Sequence, residues 1–134
     1  MLLEAGFVAI YALHAAVSFW SLAQLRRFLA QTPSIADEIC LQRYKDLVRT
    51  QMYLALVVIA MLGSGIVIGA ILIRRYGRAG FAVVIATNVW ILALAMYHRS
   101  WELRARRLEV ASEGLALEYR RVSDVWVKKP LPDF

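Results

Sequence analysis

An all-α, polytopic membrane protein with three transmembrane helices is the fold class this sequence predicts, on three observations. The chain is 60% hydrophobic and only 19% charged, too apolar for an ordinary soluble domain of its 134 residues. Its charges leave three long gaps: 21 residues between Glu4 and Arg26, 24 between Arg49 and Arg74, and 20 between Arg78 and Arg99. An apolar slab of about 30 Å needs roughly 20 helical residues at ~1.5 Å each, so each gap is one crossing. The basic residues beside the gaps are lopsided, as they are around membrane spans. A soluble bundle would carry a polar stripe along each helix, and these runs read as unbroken. One membrane domain, 1–134, is expected, with spans at about 5–25, 52–73 and 79–98.

The first run opens "MLLEAG", with Glu4 and no basic residue, and ends "SLAQLRRF", with charge where a signal peptide would have its cleavage site. It reads as a permanent helix. Nine basic residues flank the spans on one side (Arg26, Arg27, Arg43, Lys45, Arg49, Arg99, Arg104, Arg106, Arg107), against three on the other (Arg74, Arg75, Arg78). Positive-inside then places the N-terminus outside and the C-terminus in the cytoplasm, in a bacterial inner membrane. The net charge of +6 is mostly this topology signal. It speaks for the lipid bilayer as a partner and against nucleic acid. The one cysteine, Cys40, falls on the reducing side and forms no internal disulfide.

Between the first and second spans, Pro33 stops the chain and Ser34 with Asp37 forms a capping-box pattern. The second helix is expected to start near Ile35 and run to Arg75, with 35–51 standing in the cytoplasm. The third shows the same excess. After Arg99 no proline occurs before Pro130, and Trp101, Ala105, Leu108, Ser112, Leu115, Tyr119, Val122 and Trp126 form a heptad seam. Gly114 is its weak point. The two extensions, 35–51 and 99–126, are expected to continue the membrane hairpin as one long antiparallel pair. With Gly77 at the tip, Val48 would lie level with Arg106, Tyr44 with Val110 and Ile35 with Tyr119. Leu41, Tyr44 and Val48 would meet the seam. Residues 127–134, with two prolines, read as an irregular tail.

Inside a membrane, small residues let helices approach, since apolar side chains gain little by leaving lipid. Gly65 and Gly69 form a GxxxG pair, and Gly63 and Ser64 extend the helix-packing surface. The arginines of "RRYGRAG" end the span, and Gly77 or Gly80 supplies the turn. Aligning the spans by their centres brings His14, Ser18, Ser64, Thr87 and Asn88 to one depth, a mid-membrane polar layer. It reads either as hydrogen-bonded glue or as a proton path through His14. No carboxylate lies within a span, which favours glue. His14 and His98 differ in depth by ~15 Å, too far to share one haem iron. His98, Tyr97, Trp101 and Tyr53 read as an interfacial aromatic belt, and Trp20 and Trp90 as packing residues.

No metal, nucleotide or catalytic motif is present, so no cofactor, metal or catalytic residue is assigned and no enzyme is expected. Two functions remain. One is an accessory, scaffold or assembly subunit that self-associates or binds a membrane protein. The other is a subunit of a small homo-oligomeric channel or transporter, with Thr87, Ile91, Leu94 and His98 lining an intermolecular pore.

Overall fold

The computed structural model describes residues 2–134. Four helices follow one another: α1 (Leu2–Gln31), α2 (Glu38–Tyr76), α3 (Arg78–Ala105) and α4 (Glu113–Lys128). Two short strands, β1 (Ser34–Ile35) and β2 (Glu109–Val110), pair in parallel, Ser34 with Glu109 and Ile35 with Val110. The first three helices are long and apolar enough to cross a membrane. Only 17%, 17% and 6% of their most apolar windows are buried within the chain, so most of that oily surface faces outward. Trp20 and Trp90, expected to pack inside, belong to this outward surface at 53% and 58% exposure.

α1, α2 and α3 form a three-helix bundle. α2 and α3 are joined by Gly77 alone, at φ 57°, where L side chains are strained. Its N–H donates to Ile73 O at 2.8 Å and its carbonyl accepts from Phe81 N–H at 3.0 Å. Gly80, a second candidate for the turn, lies inside α3. A Cβ there would stand 2.5 Å from Leu72 O and 2.9 Å from its carbonyl carbon. The two helices therefore touch backbone to backbone near their tip. Gly65 and Gly69 also face inward: a Cβ at Gly65 would meet Tyr11 of α1, and one at Gly69 would meet Val84 of α3. Gly63 and Ser64 point the other way, with nothing within 4 Å of a Cβ at Gly63.

The largest apolar core lies beyond the bundle, in a cap. Leu25 and Phe28 of α1, Leu41, Tyr44, Leu47 and Val48 of α2, and Tyr119, Val122 and Val125 of α4 pack with Ile35 and Ala105. Tyr44 is its centre: fully buried, its ring 4.7 Å from Tyr119, its hydroxyl 2.8 Å from Ser123 Oγ. Cys40 packs against the edge of this core.

Two expectations about the cap are corrected. α2 begins at Glu38 rather than Ile35, because Ser34 and Ile35 are spent in β1. Asp37 is the N-cap and accepts from Cys40 N–H at 2.7 Å. More importantly, α3 does not run on to Trp126. It ends at Ala105, turns, forms β2, and α4 restarts behind the N-cap Ser112. Glu118 pairs with Lys45, and Trp126 lies near Gln51, so α4 runs in the same sense as α2. The antiparallel register fails accordingly: Ile35 meets Val110, and Tyr44 meets Tyr119. Trp101, Leu108, Leu115, Tyr119 and Val122 still share one core, reached from a broken helix.

The break costs helical hydrogen bonds, and Tyr119 replaces them. Its hydroxyl donates to Ala105 O at 2.6 Å and accepts from Leu108 N–H at 3.1 Å, while Ala111 N–H donates to Ile35 O at 3.1 Å. Burial pushes the Tyr119 phenol above its ordinary pKa. Doubling back places Tyr119, Val122 and Val125 against α2 and α1 instead of in solvent. The tail also folds back: Arg49 donates to Phe134 O at 3.0 Å and its guanidinium lies over the Phe134 ring.

Three outcomes follow for unfolding in mild detergent. Tyr119→Phe leaves Ala105 O and Leu108 N–H unpaired and should cost about 1–3 kcal/mol. Gly80→Ala should disrupt the α2–α3 pair, whereas Gly63→Ala should be tolerated. Asp37 is held below the usual carboxylate range, mainly by the Cys40 N–H. A carboxyl with a depressed folded pKa stabilises fully above its unfolded pKa and loses that contribution as pH falls through the folded one. Melting temperature should therefore fall more steeply with acid in the native chain than in Asp37→Asn, which keeps the cap without the titration.

Candidate functional site

The sequence puts polar residues on the buried face of α1 at steps of three and four. Glu4, Phe7, Tyr11, His14, Ser18, Ser21, Leu25 and Phe28 form that row, and its middle is polar. At the N-terminal end of the row Glu4 pairs with Arg75 at 3.4 Å and accepts from the Tyr76 hydroxyl. The Tyr11 hydroxyl is buried against Gly65 without a hydrogen-bond partner among the described residues.

Near the cap, three helices meet through side chains. Ser21 Oγ lies 2.5 Å from Gln51 Oε1 and 2.8 Å from His98 Nε2, and Gln51 Nε2 donates to Ser21 O at 3.1 Å. His98 Nδ1 stands 3.0 Å from Glu102 Oε1, one turn further along α3. The donors can be assigned from this network. The Gln51 amide nitrogen faces a carbonyl, so its oxygen meets Ser21 Oγ and takes the hydroxyl proton. His98 Nε2 then donates to Ser21 Oγ, and one proton lies between His98 Nδ1 and Glu102. A serine–histidine–carboxylate row at such distances can activate a serine when the imidazole removes its proton. Here that proton is already given to Gln51, so the row as placed clamps α1, α2 and α3 together.

Beside the clamp is a cavity of about 340 Å³. α1 supplies a polar floor: His14, Ser18 and Ser21. Leu54, Val58 and Leu62 of α2 face Ile91 and Leu94 of α3 as apolar walls. His98, Arg99, Glu102 and Trp126 stand at the cap end. The cavity lies further along α2 and α3 than their close contacts at Gly80 and Gly69.

The expected polar layer does not assemble. Ser64 Oγ donates to Ala60 O at 3.1 Å, Thr87 Oγ1 to Val83 O at 2.7 Å, and Asn88 Nδ2 to Val84 O at 2.7 Å. Each satisfies itself on its own helix one turn back, so equal depth imposes no cross-helix bond. Only His14 and Ser18 share a space. His98 is not part of an outer aromatic belt; it turns inward, while Trp101 sits between the Arg26 and Arg104 guanidinium groups. The stripe offered as a pore lining also turns inward: Ile91 and Leu94 are buried and, with His98, line the intramolecular cavity. Ser21, Gln51 and Glu102 were not foreseen as site residues. The three–four spacing on α1 was the signal for Ser21; Gln51 on α2 and Glu102 on α3 lie outside that pattern. Among the described residues no group of three or more His, Cys, Asp or Glu is placed to hold a metal.

No protein-family model, curated protein or solved structure matches the chain.

Ser21→Ala would strand Gln51 Oε1 and His98 Nε2–H and should cost about 1–3 kcal/mol. The double variant Ser21→Ala with Gln51→Leu should recover part of that loss, a non-additivity read from a thermodynamic cycle.

Proposed function

We propose that this chain is a small integral membrane subunit of a bacterial inner membrane, N-terminus outside and C-terminus in the cytoplasm. It acts as an accessory or assembly protein through helix contacts with a copy of itself or another membrane protein. The outward face of α2 carries this reading. Gly65 and Gly69 are used inside the bundle, yet Ala60, Gly63, Ser64 and Val67 remain exposed on the opposite side. Lipid chains do not require small residues on a helix, whereas a second helix does. The cap supports the same reading, since a second folded core on the basic side gives the subunit a cytoplasmic contact surface.

A second reading, a subunit of a channel or transporter, is favoured by the polar row on α1 and its cavity. It differs from the expectation above in routing any path within one chain.

Mass measurement in a mild detergent tests the first reading. The native chain should run as an oligomer or with a co-purifying membrane partner, and Gly63→Leu should shift it to monomer. A native chain that is monomeric and partnerless would remove the accessory reading. A large closed ring with a central pore would favour the second.

A further inference from the structure

Three features of the cavity bear on what fills it. The first is an unmet hydrogen-bonding demand. His14 is only 4% exposed, lines the cavity, and makes no hydrogen bond to the described residues. Ser18, one turn further along α1, opens onto the same space and also has no hydrogen-bond partner among the described residues. Two adjacent polar groups against apolar walls are costly unless something bonds to both.

The second is charge. His98 and Glu102 offset one another at the cap end, and Arg99 lies at the mouth. Deeper in, α2 contributes only apolar side chains beside His14, and α3 only Ile91, Leu94 and Ala95. Nothing there compensates an ion, so the group that meets His14 and Ser18 is uncharged.

The third is shape and route. From Gln51 to Leu62 the cavity extends about 16 Å at ~1.5 Å per residue, so it is long and narrow. Its volume of about 340 Å³ is at the low end for small-molecule sites. Ala55 and Ala95, on its two rims, are exposed, so it opens sideways between α2 and α3. If the chain spans a bilayer, as proposed above, that opening faces hydrocarbon.

We propose that the cavity binds an uncharged, bilayer-soluble ligand that presents a carbonyl oxygen to His14 and Ser18, the chemistry of a prenylated quinone. One carbonyl oxygen has two lone pairs and can accept from an imidazole N–H and a hydroxyl together. The apolar walls flank the ring, and the tail leaves between α2 and α3. An anionic amphiphile would instead leave its charge at Arg99 and set methylenes against His14.

The test uses the purified full chain in lipid nanodiscs with decylubiquinone as the probe, read by quenching of Trp126, which lines the cavity. Trp20→Phe, Trp90→Phe and Trp101→Phe make it the sole tryptophan. Quenching should saturate, and His14→Leu and Ser18→Ala should each weaken binding about tenfold. His14→Gln, which keeps an N–H donor, should bind close to the parent; circular dichroism identifies any variant that has not folded. Non-saturating quenching, or the same affinity in folded His14→Leu and Ser18→Ala, would overturn the proposal. Displacement of decylubiquinone by an equal concentration of oleate, read as recovery of Trp126 fluorescence, would also overturn it, by assigning the cavity to anionic amphiphiles. A chain that stays dissolved without detergent or lipid would refute the membrane reading instead, and that is known before any probe is added.

Discussion

At position 80 a hydrogen atom occupies the space where any other residue would place a carbon. That absence lets the backbone of α3 rest on Leu72 of α2, and the next contact along, Gly69 with Val84, continues it. Much of the bundle depends on this approach. Further along the pair, α1, α2 and α3 together line the cavity. What α1 presents there is its polar row, so the clamp of Ser21, Gln51, His98 and Glu102 and the cavity beside it result from where two helices can touch. If the bundle lies in lipid, as proposed, burying leucine against leucine gains little there, and close backbone approach is one of the few forces available to hold such a pair.

The cap is held by different physics. Tyr44, Val48, Ile35 and Val122 are fully buried there, and apolar burial of that kind is rewarded in water. The chain gives up continuous helix after Ala105 to obtain it. Backbone groups near the break find substitutes in the Tyr119 hydroxyl, the two-residue ladder and the Ser112 cap. One tyrosine thus both fills the core and repairs the break that lets it reach the core. The two regions meet at α1, where the polar residues of the row give way to Leu25 and Phe28.

The three long helices were legible because they rest on a robust signal, charge-free runs of bilayer length. The inward roles of Leu41, Tyr44 and Val48 were legible for a similar reason, a helical period on an otherwise polar segment. The reversal after Ala105 was not. Glu109 and Val110 sit in a composition that favours helix, and only Ser112 beside Gly114 hints at a restart. What decides the matter is a contact between residues far apart in the chain, Tyr119 with Ala105, which no local pattern carries. The clamp was missed for a different reason. Equal depth groups polar residues without regard to whether serine, threonine and asparagine satisfy themselves on their own helix. Periodicity on α1 would have separated His14, Ser18 and Ser21, which point inward, from Ser64, Thr87 and Asn88, which do not need to.

The central claim is that the bundle lies in a membrane with its α2–α3 tip outside and its cap inside, and cysteine labelling in intact bacteria tests it directly. With Cys40→Ser as background, Arg78→Cys at the tip and Leu117→Cys on the cap are treated with a membrane-impermeant maleimide. The account predicts labelling of the tip in whole cells and of the cap only after lysis. Equal labelling of both sites in whole cells, or recovery of the chain in the soluble fraction, would contradict it.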